Sequence, residues 1–235
     1  MIILEEKILK DEKKLALFDY DGTIVDSAIM IVKGAIEAFR ACGIPDPDPI
    51  KVKENIGKPL AVALKEYMPL GYNVPASKIS DAYRNWYAEQ GRLGLQHEPL
   101  FPGMYNLLEQ LKETGRWQLG IATNKSRIAL ENGLEKHKLS KFFDLTLTTD
   151  ENKPKPDPDM AIKAMKHMDQ RNDTTFIIGD TVNDVGLGKN ANITSIGVSW
   201  GYNNEEVLKK AGAREIVHNA KQLYELLQSN LNYEE

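Results

Sequence analysis

The sequence predicts an α/β protein: a mostly parallel sheet with helices on both faces, and an all-helical segment inserted after the first strand. Three observations predict it. Short apolar runs alternate with amphipathic segments from Phe101 onward. A separate apolar run, residues 15–18, lies well before that alternating region. Between Pro45 and Pro99 helical periodicity recurs without a convincing strand.

Residues 15–18 lead to Asp19, Asp21 and then Gly22, which reads as a buried strand ending in a tight turn. Asp26 and Ser27 are placed to cap the next helix, which continues to about Ala41 with Ile29, Val32, Ile36 and Phe39 on one face. In the inserted stretch, Leu60, Leu64 and Tyr67 keep helical spacing, as do Ile79, Tyr83, Trp86 and Tyr87. The aromatic group is expected to pack the inserted helices together. Beyond Phe101 the pattern predicts helix 104–114, strand 118–123, helix 126–137, strand 145–148, helix 158–168, strand 175–178, a short helix 184–190, strand 194–198 and a closing helix 220–228. The first strand then belongs to this later sheet. Residues 28–98 are expected to form a helical cap inserted into a core of residues 1–27 and 99–235.

With 42% hydrophobic and 27% charged residues, the chain has the composition of a soluble globular protein. A formal net charge of -4 supplies no general basic field for nucleic acid or an anionic membrane, so an anionic ligand needs a local site. The single cysteine, Cys42, excludes an internal disulfide framework and is expected as a small core residue. No apolar run approaches the length of a membrane span. Residues 1–14 alternate apolar and charged side chains, unlike a secretory leader, so the cytoplasm is the expected compartment.

In open parallel sheets, ligands bind where the strands end. Those ends carry Asp19 and Asp21, Thr123 and Asn124, Lys155 in a later loop, and Asp180 with Asp184. Two residues apart in extended chain, Asp19 and Asp21 leave the backbone on one side; four apart on a helical turn, Asp180 and Asp184 share a face. Converging carboxylates repel one another, and a divalent cation with oxygen ligands relieves that repulsion. Each position also has an ordinary reading. An Asp-Gly turn accepts backbone hydrogen bonds, Thr123 and Asn124 can cap a helix, Lys155 can be a solvated loop lysine, and Asp184 can be a first-turn acid. An EF-hand register fails, because it would put Leu17 first and Ala28 in the place of the final glutamate. His97, His137, His167 and His218 show no metal-ligand spacing.

Phe-Asp-Tyr-Asp-Gly-Thr at 18–23 resembles the first signature of the haloacid dehalogenase superfamily of phosphatases. Ile-Ala-Thr-Asn at 121–124, Lys-Pro-Asp-Pro-Asp at 155–159 and Gly-Asp-Thr-Val-Asn-Asp at 179–184 resemble the second, third and fourth, in family order. The inserted helices are similar to the phosphoglycolate-phosphatase-like branch. The resemblance implies a Rossmann-like core with a helical cap, and a Mg²⁺-dependent phosphatase acting on a small phosphorylated metabolite, a phosphoglycolate-like phosphomonoester. It implies that Asp19 attacks phosphorus to form an aspartyl phosphate and that Asp21 serves as acid and then base. Asp19, Asp180 and the backbone carbonyl of Asp21 are the implied Mg²⁺ ligands, with Asp184 binding the ion or orienting its waters. The Thr123 hydroxyl and backbone amides near Asp21 and Asn124 are expected to hold phosphoryl oxygens.

Lys155 is the implied fixed positive charge, because Lys-Pro-x-Pro-Asp reads best from it and places Met160, Ala164 and Met168 on a buried helix face; Lys153 is a second candidate. By the same resemblance, the Gly57-Lys58-Pro59 loop faces the site, where Lys58 either binds a substrate's distal anion or is solvated. A sugar phosphomutase, an inorganic pyrophosphatase and a non-catalytic phospho-accepting module remain as alternatives. Dehalogenation is disfavoured, because it does not need what Asp21 and Asp180 supply. Substrate identity and oligomeric state are not legible.

Overall fold

The computed structural model of the protein describes residues 13–232, so most of the leading segment read above lies outside the described residues. Six parallel strands form one sheet: β1 (Lys14–Phe18), β2 (Trp117–Ala122), β3 (Leu145–Leu147), β4 (Thr175–Gly179), β5 (Thr194–Val198) and β6 (Glu215–Val217), in spatial order β3-β2-β1-β4-β5-β6. The first strand therefore sits at the centre of a sheet built otherwise from strands roughly a hundred residues later. Register decides what this achieves. Phe18 lies beside Ile121 of β2 and Ile178 of β4, so the chain leaves all three strands along the same edge, and Asp19, Thr123 and Asp180 follow there.

The helices are α1 (Ala28–Ala41), α2 (Pro49–Glu54), α3 (Leu60–Glu66), α4 (Ala76–Arg92), α5 (Met104–Glu113), α6 (Arg127–Lys136), α7 (Asp159–Met168), α8 (Val182–Ala191), α9 (Glu205–Ala211) and α10 (Ala220–Asn232). Alternation along the strands serves two cores. Ala16, Phe18, Leu119 and Ile121 pack toward α5 and α10, meeting Leu108, Leu111, Leu223 and Leu227. Leu15, Leu17 and Ile177 pack on the other face against Met160, Ala161, Ala164 and Leu187 of α7 and α8. Each such fully buried large side chain contributes about 1.5–3 kcal/mol relative to exposure. Helices α1 to α4 close around a third cluster containing Ala35, Ala38, Phe39, Leu64 and Ile79. Among the described residues, no helix is long and apolar enough to cross a membrane.

Four expectations need correction. The buried face of α1 is Met30, Gly34, Ala35, Ala38 and Phe39, while Ile29 is 56% exposed and Val32 and Ile36 are only half-buried. Small residues win because α4 comes close: a Cβ on Gly34 would lie 2.7 Å from the Tyr83 ring. Ser27 occupies the N-cap position without capping, because its hydroxyl pairs with the Tyr202 hydroxyl at 3.2 Å; the Asp26 carboxylate instead accepts from the Ala28 amide at 3.3 Å. Cys42 is half-buried, packing against the third cluster from outside. Strand β6 and helix α9 were not anticipated, since three and seven residues are too short to show a period.

Helix α8, which carries Asp184, lies close on the sheet because Gly188 has no side chain. A Cβ there would run into the Ser195 hydroxyl and sit 2.8 Å from Ile177. Gly188→Val is expected to lose about 1–3 kcal/mol by overpacking, read from urea unfolding; a wild-type midpoint would show that α8 can shift without loss.

Candidate active site

The turn after β1 is built to bring carboxylates together. The Asp19 amide donates to the Ile178 carbonyl at 2.8 Å, continuing the strand register by one residue, and the Asp19 Oδ1 accepts from the Tyr20 amide at 2.7 Å. Gly22 has φ +81°, and a Cβ there would run into the Asp180 carboxylate. Only glycine gives both the left-handed turn and the close approach. Asp180, fully buried, accepts from the Thr23 hydroxyl at 2.9 Å on Oδ1 and from the Tyr202 amide at 2.8 Å on Oδ2.

Asp184 has two roles at once. Its Oδ2 accepts from the Thr181 amide at 2.9 Å and hydroxyl at 2.7 Å in a capping box that starts α8. Its Oδ1 meets the Lys155 ammonium at 2.5 Å, and that ammonium also lies 2.9 Å from Asp19 Oδ1. The helix-cap reading and the site reading of Asp184 are therefore compatible. Lys155 has no exposed surface, whereas the Lys153 side chain is 72% exposed and lies 3.8 Å from Asp157. Of the two lysines, Lys155 joins the cluster and Lys153 does not.

Asp19, Asp180 and Asp184 each offer a carboxylate oxygen within 4.8 Å of the others, all three buried. One ammonium, that of Lys155, reaches two of these three acids, Asp19 and Asp184. Burial pushes the Asp19 carboxyl up to about 7, against the lowering by Lys155 and helped by the charge of Asp184. Burial raises Asp180 well above the usual carboxylate range, with the charges of Asp184 and Asp19 adding to it. A divalent cation with oxygen ligands answers such an excess of buried negative charge, so these residues fit Mg²⁺. The Asp21 carboxylate stands outside the triad, its Oδ1 accepting from Lys125 at 2.8 Å.

Thr123 is buried at the end of β2, its hydroxyl accepting from the Lys125 amide at 3.3 Å. The Asn124 side chain is occupied in a clasp: Oδ1 accepts from the Lys155 amide at 2.9 Å, while Nδ2 donates to the carbonyls of Gly57 at 2.9 Å and Lys155 at 3.3 Å. Asn183 also donates to the Gly57 carbonyl at 2.9 Å. The loop after α2 is thereby tied to two strand ends. Lys58, next in that loop, is 38% exposed and lies 3.7 Å from Glu66.

A second polar cluster escaped the sequence reading. Lys125, 6% exposed in its side chain, contacts Glu98 at 3.2 Å as well as Asp21, and lies 4.8 Å from the centre of the Tyr87 ring. The Tyr87 hydroxyl donates to Glu98, whose other oxygen accepts from Gln96 at 2.9 Å. Tyr87 and Tyr83 also line a cavity that reaches Asp19, so the aromatic group does more than pack helices. Lys125 directly follows Thr123 and Asn124, which was a usable signal; Glu98 had none.

The chain belongs to the haloacid dehalogenase-like hydrolase family, whose sequence model matches residues 16–198. It is 35% identical over 208 residues to "Probable phosphatase IndB" of Dickeya dadantii, covering 87% of this chain and 89% of that protein. A "Phosphoglycolate phosphatase" of Vibrio parahaemolyticus is 28% identical, covering 91% and 96%, and a "Pyrophosphatase PpaX" of Bacillus velezensis 31%, covering 78% and 82%. The crystal structure of a predicted phosphatase from Clostridium acetobutylicum superimposes with TM-score 0.81 at 30% identity, covering 93% of this chain and 99% of that one. The protein is a hydrolase of phosphoric esters with the fold of that family.

Folding moves the Asp19 carboxyl from 3.8 to about 7, so without metal it binds a proton more readily in the folded chain. Its contribution to stability is present at low pH and lost as pH rises through that window. Urea unfolding in a chelator is expected to show a steeper loss between pH 5 and 7.5 for wild type than for Asp19→Asn; equal slopes would mean that Asp19 is not held out of water. Magnesium is expected to raise the melting temperature of wild type and not of Asp180→Asn.

Proposed function

We propose that the protein is a Mg²⁺-dependent phosphatase that hydrolyses a small phosphomonoester through an aspartyl phosphate on Asp19. One observation carries the proposal: a buried carboxylate at the centre of the sheet edge, flanked within ion-pair distance by Lys155 and facing Asp180 and Asp184. Asp19 Oδ1 is engaged by Tyr20 and Lys155, which assigns Oδ2 to the attack on phosphorus. Asp21, held by Lys125, donates a proton to the departing alcohol oxygen and then takes one from the water that hydrolyses the acyl phosphate.

Lys155 keeps a fixed positive charge beside the nucleophile, and the Thr123 hydroxyl, lining the same cavity as Asp19, is the proposed donor to a phosphoryl oxygen. Asp19, Asp180 and the Asp21 backbone carbonyl are the proposed Mg²⁺ ligands, with Asp184 beside them. Bound there, Mg²⁺ would offset the repulsion between a carboxylate and a phosphate dianion. Residues 28–98 act as a cap over a core of residues 1–27 and 99–235. The clasp from Asn124 and Asn183 to Gly57 supports this division, since it ties one loop of the inserted helices to the strand ends that carry the chemistry.

Release of phosphate from an aryl phosphate is expected to need Mg²⁺ and to vanish in Asp19→Asn while circular dichroism stays native. Lys155→Met is expected to fall with it, by about a hundredfold or more, and Lys153→Met to stay near wild type. Full turnover by Asp19→Asn would remove the nucleophile assignment.

Gly57 has φ +89°, and a Cβ there would lie 2.6 Å from Thr181 Cγ2. Gly57→Ala is therefore expected to disturb docking of the loop, raising KM and lowering hydrogen-exchange protection of residues 55–60. Unchanged protection and KM would mean that the clasp does not position the cap.

A further inference from the structure

The space above Asp19 is large and mostly apolar at the end away from the acids. A cavity of about 540 Å³ runs from Asp19, Asp21 and Thr123 to the inner face of the α1–α4 helices. That size falls within the roughly 300–1,000 Å³ used for organic ligands. On the side of the inserted helices its lining is mainly apolar, with Ile31, Val52, Leu60 and Tyr83, and includes Asn55 and Lys58. The rings of Tyr83 and Tyr87 stack 5.4 Å apart along it.

The charges on the same wall are already matched. Lys125, a buried cation lining the cavity, faces two carboxylates, Asp21 and Glu98, so this cluster carries a net negative charge when all three are ionised. Lys58 lies 3.7 Å from Glu66, and Arg84, 53% exposed, lies 3.9 Å from Asp81. A leaving group ending in a carboxylate or a second phosphate would meet no buried, unmatched cation among these, and would place its charge against hydrocarbon. An uncharged apolar group would displace water from that wall instead.

We infer that the ester cleaved here has an apolar, uncharged alcohol, whose body lies against Leu60, Val52 and Tyr83 while its phosphate reaches Asp19. The inference rests on the phosphatase reading and narrows its substrate class, setting the site apart from one made for a carboxylate-bearing two-carbon ester or for pyrophosphate. Hydrolysis balances as for any phosphomonoester: the P–O bond to the alcohol breaks, water supplies the new oxygen on phosphorus, and the alcohol leaves with a proton.

Alkylphosphonates, which carry no cleavable ester bond, test the wall separately from the chemistry. Calorimetric titration of the Mg²⁺-loaded protein with methyl-, butyl- and hexylphosphonate is expected to show Kd falling about fourfold for each methylene buried, reaching about a thousandfold across the series when all five added methylenes are buried, with a negative heat-capacity change. Phosphonoacetate, which adds a carboxylate, is expected to bind no more tightly than methylphosphonate. Leu60→Lys, at a half-buried position, is expected to weaken hexylphosphonate and strengthen phosphonoacetate. Equal affinities along the alkyl series, or tighter binding of phosphonoacetate than of hexylphosphonate to wild type, would overturn the inference and leave the phosphatase reading standing. No phosphonate binding, together with no phosphate release from any ester, would remove both.

Discussion

Three carboxylates held out of water, two of them bridged by one ammonium, are the constraint on which the rest of the structure turns. Ionised acids in such a place repel one another and lose hydration, and burial, opposed by Lys155 and helped by the charge of Asp184, lifts Asp19 to about 7. The surroundings return part of what water would have given. Tyr20, Tyr202 and Thr181 donate backbone amides, Thr23 and Thr181 donate hydroxyls, and Lys155 bridges Asp19 to Asp184. These donors come from several loops, so the loops must approach within hydrogen-bond distance. Gly22 is the sharpest consequence, because any Cβ there would run into the carboxylate of Asp180. What remains uncompensated is negative charge, which a divalent cation can neutralise and a helix cap cannot.

The sheet is the device that makes this meeting possible. Asp19 and Asp180 are separated by most of the chain, yet β1 and β4 are direct neighbours in register. Parallel pairing sends both strands out at one edge, and β2 delivers Thr123 there as well. Packing on both faces then fixes that edge against the helices, through Phe18 and Ile121 on one side and Leu17 and Ile177 on the other. Precision at the acids is thus supplied by hydrocarbon packed well behind them.

In the proposed reading, specificity belongs to a different part of the molecule. The α1–α4 helices contribute Leu60, Tyr83 and Tyr87 to the cavity, and Glu98, at the return to the sheet, helps hold Lys125 against Asp21. The group proposed to handle the leaving-group proton is therefore positioned partly from the cap side.

The sequence by itself determined the order of the longer elements, though not of β6 or α9, and the acids that end the central strands. Strand, acidic turn and glycine are local patterns, and so are the residues Asp19, Asp21, Thr123, Asp180 and Asp184. Tertiary structure decided what depends on distant neighbours. Lys153 and Lys155 stand in similar Lys-Pro contexts that favour Lys155 without excluding Lys153, and burial between Asp19 and Asp184 separates them. The face of α1 was misread because apolar size suggested Ile29 and Val32, whereas the close approach of α4 selected Gly34 and Ala35. Asn124 reads as a cap or a ligand, yet its side chain ties Gly57 to Lys155. Glu98 carries no signal in the sequence, and only the fold brings Tyr87 and Lys125 against it. A short stretch of chain encodes its own backbone preference, but the loss of water from a side chain, and the partner that replaces that water, come from segments that only the folded sheet brings near.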